Sequence, residues 1–467
     1  MTGATLHSQS LRGFLAGLEA EGQLLRIGET VDPRFEMSAY LTEVWDGPAV
    51  LFERPSQGEM AVVGNVLNSL ARIARGLGST PADLQSKLVA AIDRPLPSRL
   101  VEAGPCQDVE IAEPDLGRLP IPTFFERETG PYVTAGAIVT ADSATGRRNL
   151  SFARLKPLGG NRAFIGIAPN HHLAVMARAA AARGEKLPIA VVIGNHPAVL
   201  MAAALYLGLG DDEMEVAGAL LGQPVEVIRC RSHGLPVPAQ AEIVLEGWID
   251  TNELLEEGPV SEFHGLFEDY GRGQVATFTR MTRRKDAIYQ AIQPGFHPEH
   301  VLIGGVSIAA GLCRHVRRSV PSCQSVSVGM GGAGRLHAVV GLGEPRPGDP
   351  RKAMFAVWSA VNLIKQVVVI DADIDAWDPL QVEWAIATCM KADRDILVVP
   401  GVRADRSEPL EREGVVAKLG IDATRRAGDR PDWQPAVPPP GALAKARAVL
   451  AGKGLVLPPG FGKGRRS

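Results

Sequence analysis

Arg154, Glu257 and Glu262 are the residues of this chain best suited to chemistry on an anionic substrate. They lie in two short stretches, Arg148-Asn149-Leu150-Ser151-Phe152-Ala153-Arg154 and Glu257-Gly258-Pro259-Val260-Ser261-Glu262-Phe263-His264-Gly265. A guanidinium can hold a carboxylate through two parallel hydrogen bonds, one glutamate can orient that guanidinium, and a second can move a proton. The bland counterpart is a surface ion pair beside a Gly-Pro loop, because structural ion pairs cluster charges as active sites do. Glu256 adds a third carboxylate, and a loop set by Gly258-Pro259 gives no alternation rule for which of the three share a face. Asn149 and Arg154 stand an odd number of residues apart, on opposite faces of an ideal strand. Both reach one site only if that strand is bulged or ends between them.

Asn149, His171 and Glu213 offer an amide, an imidazole and a carboxylate from three separate segments. Such an O/N set suits Mn²⁺ or Mg²⁺ better than structural zinc, which favours thiolates. An ion of this kind beside a phosphate would imply a cofactor. For His171 two readings stay open, metal ligand or cap of the helix that follows. Gly329-Met330-Gly331-Gly332-Ala333-Gly334 matches G-x-G-x-x-G, but a strand-like run from Arg335 follows where the dinucleotide fingerprint requires a helix, so that reading is rejected.

The elements that must position these residues follow from composition and periodicity. At 467 residues and 45% hydrophobic content, the chain has room for two or three domains. A net charge of -3 gives no ground for a nucleic-acid partner, and the basic tail Lys463-Gly464-Arg465-Arg466-Ser467 reads as a solvated terminus. The N-terminus lacks the basic and apolar segments of a signal peptide, so the expected location is the cytoplasm. The apolar run 189–209 is broken by Asn195-His196-Pro197 and reads as strand, turn and buried helix, with no membrane insertion. Five scattered cysteines without a C-x-x-C pair argue against zinc ribbons and a disulfide framework.

Residues 1–112 read as an N-terminal α/β domain, with an amphipathic helix marked by Leu11, Phe14, Leu15 and Leu18. From 113 to 296 the pattern changes to strands over 134–141, 149–155, 163–167, 225–230, 242–248, 276–281 and 287–292, with helices over 171–183 and 198–207. This predicts mostly antiparallel pairing in a barrel. A connecting helix over 297–320, weakened by Gly304-Gly305, leads to an α/β domain over 321–440 and a terminal helix with basic tail over 441–467. The fold class is thus α/β and α+β, multidomain.

On these residues the chain resembles the UbiD-like family of decarboxylases, which use prenylated FMN. Asn149-Leu150-Ser151-Phe152-Ala153-Arg154 is similar to the family's N-x-S-x-A-R stretch, Pro169-Asn170-His171 to its next element, and Glu257-Gly258-Pro259 with Glu262-Phe263 to its carboxylate loop. Further on, Val367-Val368-Val369-Ile370-Asp371-Ala372-Asp373 and Ala417-Lys418-Leu419-Gly420-Ile421-Asp422-Ala423-Thr424 look like its C-terminal domain. The resemblance implies Arg154, Glu257 and Glu262 as catalytic residues, and that register selects Glu257 over Glu256. It implies Asn149, His171 and Glu213 as metal ligands for Mn²⁺ beside a K⁺ site. It also implies a cofactor site drawing on Asn149, Ser151, Phe152, Ala153, Arg154, Asn170, His171, Ala203, Ala204, Leu205, Glu213 and Ile303. A flavin-binding split β-barrel, a homodimer or larger homo-oligomer, and a flavin prenyltransferase as cofactor supplier complete the picture. The chain departs from the pattern at Cys389, where many members carry arginine, and at Ser359-Ala360-Val361, which lacks a lysine found in some.

The function expected is non-oxidative decarboxylation of an aromatic, heteroaromatic or α,β-unsaturated carboxylic acid, with the reverse carboxylation open. Loss of CO₂ from such an acid leaves a carbanion that no side chain can delocalise, so a cofactor must supply the electron sink. Two alternatives stand beside it: a metal-dependent isomerase or hydrolase, and a non-catalytic flavin-binding subunit of a decarboxylase complex.

Overall fold

The computed structural model describes residues 8–169, 171–426, 428–429, 432–433 and 436–454. The chain divides into two compact units, one ending at Gly311 and the other starting at Leu312.

In the first unit the amphipathic stripe predicted near the N-terminus forms the helix Leu11–Ala20. Its Leu11, Phe14, Leu15 and Leu18 are buried, and the Ser10 hydroxyl caps it by accepting from Gly13 N at 3.1 Å. A four-stranded sheet follows in the order Leu24–Val31, Ala49–Pro55, Val62–Gly64 and Tyr289–Gln290. Its last strand corrects an expectation: the run 287–292 pairs for two residues only, and it joins this sheet, parallel to Val62–Gly64, instead of the barrel.

The main sheet has seven strands on its path, in the order Arg148–Phe152, Ala137–Ala141, Leu187–Ile193, Ile243–Glu256, Arg272–Arg283, Arg162–Gly166 and Arg154–Gly159. Val109–Ala112 adds to Arg272–Arg283 off that path. Every pairing in it is antiparallel. The run 225–230 is not part of it: Glu226–Arg229 sits in a separate three-stranded sheet between Pro236–Pro238 and Arg99–Leu100. The path of the main sheet is open, as a split barrel requires, and its two ends are consecutive in sequence. The run 149–155 is therefore not one strand. It breaks at Ala153, and the chain passes there from one edge of the sheet to the other. Both sheets bury side chains in a common core that includes Phe52, Val191, Leu245, Phe278 and Tyr289.

Ile243–Glu256 runs far beyond the expected end at Trp248. A register shift between Asp250 and Leu254 carries the pairing through the polar run Asp250-Thr251-Asn252-Glu253. The strand Leu187–Ile193, a turn and a helix follow the interrupted apolar run, although the helix, Pro197–Ala203, ends short of the expected Leu207. Among the described residues no helix is long and apolar enough to cross a membrane.

The helix Pro298–Ser319 forms despite Gly304-Gly305 and runs across the division between the units. The second unit holds a five-stranded sheet in the order Cys323–Ser327, His337–Leu342, Gln366–Asp371, Val415–Asp422 and Ile396–Arg403, parallel at its centre and antiparallel at both edges. The glycine-rich run at 329–334 makes a short 3₁₀ turn between two of these strands and opens no helix, in line with the rejected dinucleotide reading. Pro440–Gly452 is the terminal helix, and the basic tail lies outside the described residues.

Candidate active site

The break at Ala153 decides the geometry, because it frees Arg154 from the alternation of the strand that carries Asn149. Arg154 meets Glu257 in the bidentate arrangement, Nε to Oε1 at 2.5 Å and Nη2 to Oε2 at 2.6 Å. Glu257 is buried, and its backbone N–H donates to the Gly271 carbonyl at 3.1 Å. The Arg154 guanidinium packs over the Tyr270 ring at 5.2 Å. Burial alone would lower the Arg154 pKa, but the hydrogen bonds and charge of Glu257 carry it above its ordinary value, so the side chain stays cationic.

Glu262 comes within 3.9 Å of the remaining Arg154 nitrogen, Nη1, through Oε1, while its Oε2 accepts from Phe263 N at 3.2 Å. One guanidinium thus faces a tightly held carboxylate on one edge and a looser one on the other. Glu256, the third candidate left by the residues alone, is separated from the set: its side chain is 69% exposed and lies 3.7 Å from Arg272.

Two close approaches shape this pocket, and the one at Gly166 has no signal in the local sequence. A Cβ at Gly166 would lie 2.8 Å from Arg154 Cζ and 2.9 Å from its Nε, so any other residue there would displace the guanidinium. Gly258 has φ 79°, and a Cβ there would lie 2.8 Å from Thr129 Cγ2.

Asn149 and Glu213 are joined directly. Asn149 Nδ2 donates to Glu213 Oε1 at 3.1 Å, Leu150 N donates to Oε2 at 2.9 Å, and the Ser151 hydroxyl donates to Asn149 Oδ1 at 2.8 Å. Glu213 opens the helix Glu213–Leu221, which packs on the strand Arg148–Phe152. Burial pushes its carboxyl up to about 7, against the pull of the Leu150 N–H. A buried carboxylate so poorly compensated, beside an amide oxygen, fits a divalent cation. His171 caps the helix His172–Ala182, its Nδ1 accepting from Leu173 N at 3.3 Å, and that helix also packs on Arg148–Phe152. Burial and the neighbouring His172 hold its pKa down to about 4, so the ring is neutral and Nε2 is the nitrogen left for a metal. Its described hydrogen bond runs to its own helix and not to Asn149 or Glu213.

Ala203 ends the helix Pro197–Ala203, with Ala204 and Leu205 following it, and this helix packs on both Arg148–Phe152 and Glu213–Leu221. Ile303 lies on Pro298–Ser319, which is tied to the same helix by the Ser307 hydroxyl donating to the Met201 carbonyl at 3.2 Å. Ser151 is buried, and Phe152 and Ala153 are half-buried at the strand break. Asn170 lies outside the described residues. A cleft of about 410 Å³ opens among Thr145, Arg147, Arg148, Asp211, Asp212 and Glu215, residues that flank Asn149 and Glu213 in sequence. In it Arg148 pairs with Asp212 at 2.7 Å and Glu215 at 3.3 Å.

Elsewhere in this unit Cys230, His233 and Glu246 bring donor atoms within 4.8 Å of one another. Both Glu246 oxygens accept loop amides, from Arg231 at 3.0 Å and Ser232 at 2.6 Å, and His233 Nε2 donates to the Ile189 carbonyl at 3.0 Å. These contacts tie the loop 230–235 to the sheet, which accounts for the cluster without an ion.

Comparison with known proteins places this geometry in context. The models for the N-terminal, Rift-related and C-terminal domains of 3-octaprenyl-4-hydroxybenzoate carboxy-lyase, UbiD, match residues 15–92, 99–297 and 301–423. Anhydromevalonate phosphate decarboxylase of Methanosarcina mazei is 37% identical over 429 residues, 92% of this chain and 99% of that protein. The UbiD-class enzyme HmfF of Pelotomaculum thermopropionicum, solved in complex with FMN, is 36% identical with a TM-score of 0.88, covering 93% of this chain and 99% of that one. An evolved dimeric form of HmfF in complex with prFMN is 35% identical with a TM-score of 0.85, covering 93% and 98%.

Proposed function

The chain belongs to the UbiD family, and from that premise we propose that it is a decarboxylase that uses prenylated FMN to remove CO₂ from an unsaturated or aromatic carboxylic acid. The observation that carries this reading is the Arg154–Glu257 fork with Glu262 beside its third nitrogen.

When bound, prenylated FMN supplies the electron sink that decarboxylation at an unsaturated carbon requires. The residues of the chain do the rest. Glu257 fixes the plane of Arg154, and Arg154, through Nη1, would bind the substrate carboxylate and orient it for loss of CO₂. Glu262, less tightly held, delivers the proton that replaces CO₂ at the reacting carbon. Asn149 Oδ1, His171 Nε2 and the Glu213 carboxylate would hold Mn²⁺ or a similar ion, which would offset the charge of a flavin phosphate and compensate the buried Glu213; K⁺ is the monovalent ion of the same reading. We extend the reading to a homodimer or larger homo-oligomer, supplied with cofactor by a flavin prenyltransferase.

The substrate class is set more broadly than one acid, since relatives of nearly equal identity include a protein named for anhydromevalonate phosphate and the differently named HmfF. The test is CO₂ release by protein co-expressed with a flavin prenyltransferase, across acrylic, aromatic and heteroaromatic acids and anhydromevalonate phosphate. Turnover is expected only in preparations that contain prenylated FMN by mass spectrometry. Full turnover without it would overturn the assignment.

A further inference from the structure

Lys156 lies two residues beyond Arg154 on the strand Arg154–Gly159, hence on the same face, and it is only 8% exposed. A lysine so buried is uncommon unless its ammonium group has partners. Here Nζ donates to the Glu257 carbonyl at 2.5 Å and to the Thr129 hydroxyl at 2.9 Å, and that hydroxyl donates to the same carbonyl at 2.9 Å. One face of one strand therefore grips Glu257 at both ends, Arg154 on its carboxylate and Lys156 on its carbonyl. Lys156 Nζ also lies over the Phe164 ring, 5.7 Å from its centre. Burial pushes the ammonium pKa down, with the Glu257 charge opposing it.

The neighbouring contacts extend the grip toward Glu262. Glu128, adjacent to Thr129, accepts the Ser261 hydroxyl at 2.7 Å through Oε1, while its Oε2 accepts the Phe124 and Phe125 amides at 3.2 Å. The dipeptide Glu128-Thr129 thus touches both ends of the segment from Glu257 to Ser261, and Lys156 locks that dipeptide to Glu257.

Resting on the function proposed above, we propose that Lys156 is a positioning residue for this site: by clamping the Glu257 carbonyl and the Thr129 hydroxyl it holds Glu257, and through it Arg154, in register with Glu262. A purely apolar side chain of similar length would fill the space and leave the Glu257 carbonyl with one donor fewer. The turn at Gly258 would then be free to shift, and misplacement of about 1 Å at a reacting set costs on the order of 10²-fold in rate.

The experiment compares wild type, Lys156→Met and Thr129→Val as full-length holoproteins of matched flavin content, by steady-state kinetics and by amide hydrogen exchange of the segment 254–262. Lys156→Met is expected to lower kcat by roughly 10- to 10²-fold and to speed exchange at Glu257 to Glu262. Thr129→Val, at an exposed position, is expected to do both more weakly. Should Lys156→Met fail to fold, the graded response of Thr129→Val carries the test, and wild-type exchange and kcat in it would overturn the proposal. Unchanged exchange in a folded Lys156→Met protein would also overturn it. Because exchange is read without turnover, an inactive wild-type holoprotein would count against the decarboxylase reading while the clamp is still judged.

Discussion

Gly166→Ala tests how narrowly the Arg154 fork is placed, at a position with no reactive group of its own. An alanine Cβ would stand 2.8 Å from Cζ, 2.9 Å from Nε and 3.1 Å from Cγ of Arg154, whereas ordinary contact begins at 3.4 Å. The guanidinium must retreat by about 0.6 Å to relieve the first of these. Arg154 cannot retreat alone, because two short hydrogen bonds tie it to Glu257. A shift of 1 Å at a reacting centre costs on the order of 10²-fold, so a retreat of this size should lower kcat/KM by roughly 10-fold or more, about 1.4 kcal/mol of transition-state stabilisation. The backbone at Gly166 has an ordinary φ, since it is absent from the positive-φ glycines, so the substitution acts through the side chain and not through strain. Steady-state kinetics of holoprotein, with flavin content checked by absorbance, reads the effect, and thermal unfolding checks that the fold persists. Wild-type kcat/KM in a folded Gly166→Ala protein would refute the claim that Arg154 acts from this position.

Two further predictions concern the metal. His171→Ala removes a helix cap and, on the proposed reading, a ligand nitrogen, so metal and flavin should be lost together by elemental analysis and absorbance; stoichiometric metal in the variant would leave His171 as a cap alone. Glu213 makes the apoprotein pH-sensitive: its carboxyl is pushed from 4.5 up to about 7, so between those values the folded chain keeps a proton that the unfolded chain releases, and stability falls as pH rises through that window. Glu213→Gln apoprotein should lose this slope in thermal unfolding across pH 4.5 to 8, and an unchanged slope would show that another group sets it.

How much of this was legible in sequence depends on the range of the contacts. The amphipathic helix Leu11–Ala20 and the strand and turn of the interrupted run before Pro197 rest on local patterns and formed as read. The odd spacing of Asn149 and Arg154 demanded a bulge or a strand end, and the strand ends at Ala153. Glu257 and Glu256 could not be told apart by residue type, only by family register. The structure separates them because one turns inward to Arg154 and the other outward to solvent. Gly166 and Lys156 escaped notice because their roles rest on cross-strand and long-range contacts, with Lys156 reaching Glu257 across 101 positions. The overlong strand Ile243–Glu256 and the two-residue pairing at Tyr289 were hidden for the same reason: tertiary pairing, not local propensity, sets their limits.

The central claim is that Glu262 delivers the proton that replaces CO₂. It is tested most directly by the rate at which solvent deuterium enters the reacting carbon of the decarboxylated product, measured by NMR with wild-type and Glu262→Gln holoproteins of equal prenylated FMN content. Glutamine keeps the size of the side chain but has no carboxylic proton to give, so the predicted rate falls by at least ~10²-fold, with product binding little changed. Equal exchange rates in the two proteins would contradict the account.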